Sequence, residues 1–243
     1  SLGGTATEIG TLTGVRTTPE APELQRTLAE AHRAGHAAVA MEVSSHALDQ
    51  RRVDGTRYRV GVFTNLGVDH LDHHGDLESY EAAKARLFTP ELTELGIVST
   101  DTEAGERIAE SSSISIVPVD TTAREAAATG PTGSRFRWRG HDVSLPLAGP
   151  FNVTNAVLAA EAVAALGYDE ADVAAALSRV RGVPGRFETV DAGQDCTVIV
   201  DYAHTPDGLE AVLAAAREIT DRALIVIFGA GGDRDQGKRP QMG

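Results

Sequence analysis

The sequence predicts an α/β fold: a doubly wound, mostly parallel sheet, followed by the start of a Rossmann-like second domain. Three observations carry this. Short apolar runs alternate with longer amphipathic ones along most of the chain. Some of those short runs are apolar on both faces, as in strands covered from two sides. Several also end in a burst of acids and imidazoles, where the carboxyl ends of parallel strands line a ligand crevice.

Taken in order, residues 1–18 are rich in Gly and Thr and suit irregular chain or a short strand. A helix opens after Thr17-Thr18-Pro19. Pro19 and Pro22 suit its first turn, Glu20 and Glu23 suit its positive end, and Leu24, Leu28 and Ala31 form its buried stripe. Ala37 to Val43 is apolar except for Glu42 and predicts a central strand. Ser44 and Ser45 then cap a short helix reaching Arg52. Arg59 to Leu66 is the next strand. It runs into Asp69, His70, Asp72, His73 and His74.

A helix follows from Leu77 to Phe88, with Leu77, Tyr80, Leu87 and Phe88 on one apolar face and Lys84 in the middle of it. Strand, helix and strand are predicted over 96–100, 102–110 and 114–119. Phe136, Trp138, Val143 and Leu145 around Arg139-Gly140-His141 predict a hairpin. Two helices, 151–166 and 169–181, close the first domain at residues 1–182. Val183 to Phe187 reads as a linker into the second domain, 183–243. There strand 197–202, helix 207–219 and strand 223–228 lead to a glycine-rich loop at Gly229 to Gly237.

Composition sets bounds. The 243 residues are 42% hydrophobic and carry a net charge of −13. Such a charge argues against a nucleic-acid binder held by phosphate contacts. Cys196 is the only cysteine, which rules out an intrachain disulfide and fits a reducing cytoplasm. No run approaches the ~20 apolar residues of a membrane-spanning helix. A monomer without membrane insertion is expected.

The polar groups suggest a site. Glu42 and the Asp69–His74 group stand at the carboxyl ends of two predicted strands. Carboxylate and imidazole together suit Mg²⁺ or Mn²⁺, and imidazole alone also suits zinc. Against this, Glu42 could simply cap the following helix. Lys84 on an apolar face either snorkels to water or loses its proton to desolvation and becomes a nucleophilic amine. Asp201 and His204 also end a strand. Gly229–Gly237 with Asp233, Arg234 and Lys238 resembles an anion loop, although Arg239 follows Lys238 where a P-loop needs Ser or Thr.

Seven motifs in order are more specific than any one of them. They are Thr17-Thr-Pro19, Met41-Glu-Val-Ser-Ser-His-Ala-Leu48, Asn65-Leu-Gly-Val-Asp-His-Leu-Asp72, Phe151-Asn-Val-Thr-Asn155, Val183-Pro-Gly-Arg186, Asp201-Tyr-Ala-His-Thr-Pro206, and the run from Gly231 to Pro240. Over essentially its whole length the chain resembles the Mur ligase family, on its UDP-N-acetylmuramoyl-tripeptide synthetase (MurE) branch.

The resemblance implies an ATP-dependent amide ligase of peptidoglycan-precursor synthesis. Such enzymes add meso-diaminopimelate or L-lysine to UDP-MurNAc-L-Ala-D-Glu through an acyl phosphate. It further implies that Glu42, His70 and Lys84 hold Mg²⁺, with Lys84 N6-carboxylated and, with His70, catalytic. Thr17, Thr18, Ser44, Gln50 and Arg52 match positions for the UDP-MurNAc-dipeptide. Asn155, Arg186, Asp201 and His204 match positions for ATP, and Arg234 one for the diamino acid. The family position of His73 is often aromatic, and no role is attached to it.

The family's phosphate-cradling P-loop is expected before Ser1 and its amino-acid-selecting motif beyond Gly243. A fragment inactive by itself is therefore expected. Other readings stay open: a folylpolyglutamate or cyanophycin synthetase, a metal-dependent hydrolase working through Asp69–His74, and a binding remnant without catalysis.

Overall fold

The computed structural model describes residues 17–67, 70–121, 128–229 and 239–243, and only the backbone of Asp72. It is mixed α/β. Strands β1 (Tyr58–Phe63), β2 (Thr93–Ser99) and β3 (Ser115–Val119) form one sheet in that order. Tyr58 N donates to Leu92 O beside the two strand starts (2.6 Å), and Thr100 N to Val119 O beside the two strand ends (3.0 Å). Starts beside starts and ends beside ends make these neighbours parallel. Gly96 to Ser99 is buried at every residue, as a strand covered on both faces must be.

Two compact units divide the chain: Ser1–Gly61, His70–Gly96 and Arg107–Val117 form one, and Val62–Asp69, Ile97–Glu106 and Pro118–Gly243 the other. In the first, helix α1 (Ala21–Arg33) has Pro in its first turn, Glu23 at its positive end, and His32 and Arg33 at its negative end. Leu24 and Ala31 are its buried residues. Helix α2 (Ser45–Asp49) is capped by Ser44. Helix α3 (Leu71–His74) follows His70, and α4 (Leu77–Ala85) is capped by Asp76, whose Oδ1 accepts from Ser79 N at 2.7 Å. A tighter 3₁₀ turn, Arg86–Phe88, extends α4.

The face predicted around Lys84 needs correcting. Leu77 is 44% exposed, while Tyr80, Ala83, Leu87 and Phe88 are buried. The 3₁₀ turn rotates by about 120° per residue where an α-helix rotates by about 100°, so Phe88 leaves the line that Leu77 begins.

Helix α5 (Glu103–Ser111) begins in the second unit, hard against the end of β2. A Cβ at Gly105 would lie 1.8 Å from Ser99 O, so only glycine fits there. Strands β4 (Ala128–Gly130), β5 (Gly133–Trp138) and β6 (His141–Leu145) form an antiparallel sheet, with Phe136 opposite Val143. Arg139 (φ 46°) and Gly140 (φ 83°) make the two-residue turn of the predicted hairpin. Helices α6 (Pro150–Ala165) and α7 (Glu170–Leu177) pack on this sheet. Glu161 of α6 is a buried acid with full partners. It accepts from Trp138 Nε1 (2.8 Å) and from Arg139 Nε and Nη2 (3.1 and 2.5 Å), while Arg139 also reaches Glu170 (2.5 Å).

Beyond the linker, β7 (Glu188–Val190) and β8 (Val198–Val200) pair antiparallel, and α8 (Pro206–Glu218) is capped by Thr205. Phe187, Ala148, Ala215 and Ala216 form a local core there. The last described helix is α9 (Arg239–Met242).

Two predicted strands are not seen among the described residues: residues 37–43 and 223–228 have no strand pairing there, and Ile225 and Ile227 are 83% and 96% exposed. An apolar run becomes a strand only where another strand takes up its N–H and C=O groups. Neither run has such a neighbour among the described residues. No helix among the described residues is long and apolar enough to cross a membrane.

Candidate active site

In the first unit, Thr18, Ser44, Gln50 and Arg52 meet although they span 34 positions of sequence. Thr18 is buried, and its hydroxyl donates to Glu42 O (3.0 Å) and accepts from Ser44 N (3.0 Å). Ser44 Oγ in turn accepts from Ala47 N (3.2 Å), which fixes the start of α2. Arg52 donates to Thr18 O (3.3 Å) and through Nε to Gln50 Oε1 (2.9 Å), and it pairs with Glu20 (3.4 Å). The result is a braced polar edge carrying hydroxyl, amide and guanidinium groups. Thr17, half-buried, precedes Thr18 in a bend before α1.

Beside α2 lies a cluster of imidazoles. The His46 ring stacks on His73 at 4.0 Å between centroids and meets His70 edge-on at 4.8 Å. His73 Nε2 is 3.0 Å from Asp49 Oδ2, and His74 Nε2 is 2.9 Å from Ser45 Oγ. His74 stacks on Tyr80 at 5.1 Å, and Lys84 Nζ lies 5.1 Å from the Tyr80 centroid. Burial pushes the Lys84 amine below the usual lysine range, and the Glu42 charge opposes that shift. Burial, then the charge of His73, pushes His74 down; Asp49 opposes, while His70 and Lys84 add to it. His70 holds a left-handed backbone (φ 57°) at the entry to α3.

In the second unit three of the predicted nucleotide residues, Arg186, Asp201 and His204, fall near the linker and β8. The Arg186 guanidinium lies over the Tyr202 ring at 5.0 Å. Asp201 accepts from Phe187 N and from Ala203 N, each at 2.7 Å. His204 Nδ1 is 3.0 Å from Tyr202 O. Asn155 is exposed on α6. Asp69 and Arg234 lie outside the described residues, as does the side chain of Asp72. Among the described residues no three His, Cys, Asp or Glu side chains are gathered as a metal site.

Sequence reasoning missed Glu20, Ser45, His46, Asp49 and Tyr80. The Ser44-Ser-His46 run was the available signal, but the partners of Ser45 and Asp49 lie 29 and 24 residues away.

A Mur ligase middle-domain family model matches residues 2–163, and a Mur ligase glutamate-ligase-domain model matches residues 185–243. The chain belongs to the Mur ligase family. Among Mur ligases it is 45% identical over 240 residues to a UDP-N-acetylmuramoyl-L-alanyl-D-glutamate–2,6-diaminopimelate ligase of Streptomyces avermitilis, covering 94% of this chain and 47% of that protein. The like-named protein of Gloeobacter violaceus is 47% identical, covering 93% and 48%. This Mur ligase chain thus spans about half the length of the curated relatives it matches.

A solved structure of a diaminopimelate ligase of the same name superposes with a TM-score of 0.73 at 32% identity, covering 96% of this chain and 51% of that one. A UDP-N-acetylmuramate-alanine ligase from Thermotoga maritima gives 0.54 at 26% identity, covering 68% and 39%. The Mur ligase fold accounts for the parallel sheet and the helices around it.

Proposed function

We propose that this chain carries the catalytic centre of an ATP-dependent ligase joining meso-diaminopimelate to UDP-MurNAc-L-Ala-D-Glu in cytoplasmic peptidoglycan-precursor synthesis. The observation that carries it is the braced edge of Thr18, Ser44, Gln50 and Arg52, tied to Glu42 by the Thr18 hydroxyl. The names of the relatives favour diaminopimelate over lysine as the added amino acid. The same reading sets the domain boundary at residues 182 and 183, which the gap between the two family matches supports.

In this reading, Thr17, Thr18, Ser44, Gln50 and Arg52 hold the UDP-MurNAc-dipeptide, with Arg52 giving the cation that an anionic substrate needs. Asn155, Arg186, Asp201 and His204 hold ATP, and Arg234 holds the incoming diamino acid. Both Asp201 oxygens accept backbone N–H groups, so Asp201 also fixes the loop it stands on. The γ-phosphoryl group of ATP passes to the substrate carboxylate. The diaminopimelate amine then attacks the acyl carbon, and phosphate leaves with the former carboxylate oxygen.

Glu42 and His70 have donor atoms suited to Mg²⁺, whereas an ammonium on Lys84 has none. Lys84 fits if its amine is carboxylated, and the burial that lowers its pKa favours the neutral amine this needs. That amine attacks CO₂, an N–C bond forms, one amine proton leaves to solvent, and an anion remains beside the site. Magnesium held by these residues would neutralise charge on the phosphates.

The test is an assay of the complete gene product with ATP, Mg²⁺ and UDP-MurNAc-L-Ala-D-Glu, offering diaminopimelate and lysine in parallel. Tripeptide and phosphate formed with diaminopimelate are expected. Hydrolysis without ATP, or a preference for lysine, overturns the proposal.

A further inference from the structure

On the ligase reading above, we infer that Ser45, Asp49, His73 and His74 form a clasp that positions the reacting groups against the substrate-holding edge. Two contacts close it: His74 Nε2 to Ser45 Oγ at 2.9 Å and His73 Nε2 to Asp49 Oδ2 at 3.0 Å. Both join α3 to α2, and α2 begins at the Ser44 cap that Thr18 also grips. Each end of the clasp touches a candidate reacting group through one ring. His46 lies between His73 and His70 at 4.0 and 4.8 Å. Tyr80 lies against His74 at 5.1 Å and carries Lys84 Nζ at 5.1 Å from its centroid.

The arrangement has a physical purpose. Helix α3 is only four residues long and starts from a left-handed His70, so its own backbone hydrogen bonds hold it weakly. The clasp ties the helix that follows His70 to α2, which also presents Ser44 and, at its end, Gln50. His73, left without a role by the sequence, gains one. A phenylalanine there could stack on His46 but could not pair with Asp49.

Ser45, Asp49, His73 and His74 are positioning residues: they act through His70 and Lys84. The experiment uses Ser45→Ala, Asp49→Ala, His74→Leu and His74→Gln in the complete gene product, with two readouts. The first is the ring ¹H–¹⁵N spectrum of His70, assigned through His70→Gln. Its resonances should shift or broaden in Ser45→Ala and Asp49→Ala; an unchanged His70 ring in both overturns the clasp. The second is ligase kinetics per folded molecule, well below each variant's melting temperature. In Ser45→Ala, Asp49→Ala and His74→Leu, kcat should fall by between about 10- and 100-fold while KM for ATP stays within about twofold. His74→Gln, whose amide still reaches Ser45, should recover most of the loss. A lower melting temperature with unchanged kcat means a merely structural contact and overturns the inference. If the wild type lacks ligase activity, the ligase reading fails, and the His70 spectrum alone decides the clasp.

Discussion

Two polar clusters of this molecule, compared side by side, obey opposite rules. Around Glu161, one buried carboxylate gathers an indole N–H and a guanidinium, and that guanidinium gathers a second carboxylate. Donors meet acceptors and charges alternate. Around His46, imidazoles pack against imidazoles and a lysine lies across a tyrosine ring. There burial pushes Lys84 and His74 toward their neutral forms. The first cluster is polarity resolved inside the fold. The second is polarity kept at a stability cost, and such costs concentrate at functional sites. Substitution should therefore reduce stability in one and activity in the other.

The largest effect is expected at Lys84. In the complete gene product, Lys84→Ala should lower the ligase rate by at least about 100-fold, as loss of an electrostatic group in an enclosed site does. The melting temperature should move little, and short-chain carboxylates should restore part of the rate. Activity unchanged by the substitution would sink the carbamate role and, with it, the contrast.

Next comes Glu161→Ala, which strands Trp138 Nε1 and half of the Arg139 pairing. Because the Arg139 side chain is 42% exposed, water recovers part of the loss, and about 2 kcal/mol of stability should go. Glu161→Gln keeps an acceptor for the indole and should cost about 1 kcal/mol. Urea unfolding measures both, and equal losses for the two would show that the carbonyl oxygen gives nothing.

Tyr58 isolates burial from partner effects. Burial raises its phenol to about 12. In the unfolded chain it ionises near 10. The stability this carries is complete below pH 10 and is lost as pH rises toward 12. Ultraviolet titration should show one tyrosine ionising late, absent from Tyr58→Phe; a normal titration for all tyrosines counts against burial as the cause.

The smallest effect is at Asp76, the exposed cap of the helix bearing Lys84. Backbone and side-chain hydrogen bonds from Ser79 hold its carboxyl below the ordinary range. Its contribution is present above the unfolded aspartate value and fades as pH falls through the lower folded one. Asp76→Asn should flatten that acid-side slope in thermal melts; an identical slope removes the cap from the account.

Much of the fold was legible from local pattern. Helix α1 announced itself by prolines, charge placement and the Leu24–Ala31 stripe, and the β5–β6 hairpin by alternation around Arg139-Gly140. Runs 37–43 and 223–228 read as strands because hydrophobicity reports a tendency to be covered, not the presence of a cover. The predicted face from Leu77 to Phe88 shows a related limit, since periodicity at 100° per residue does not foresee the 3₁₀ turn that carries Phe88. At the site, residue types were readable from motif order, and Thr18, Ser44, Gln50 and Arg52 do come together. The contacts of Ser45 and Asp49 were not readable, because each needs a partner from a helix whose existence the sequence did not signal.

The open run at Ile225 to Phe228 governs how this polypeptide behaves in a tube. β-Branched side chains there stand 83% and 96% exposed at Ile225 and Ile227, on backbone that no strand among the described residues pairs with. Such a segment offers both ladder hydrogen bonds and apolar surface to any other molecule that collides with it. The apparent molar mass of the 243-residue chain in light scattering should therefore rise with concentration. Lysine at Ile225 and Ile227 should suppress that rise without altering the melting temperature, which makes colloidal behaviour separable from folding in this protein.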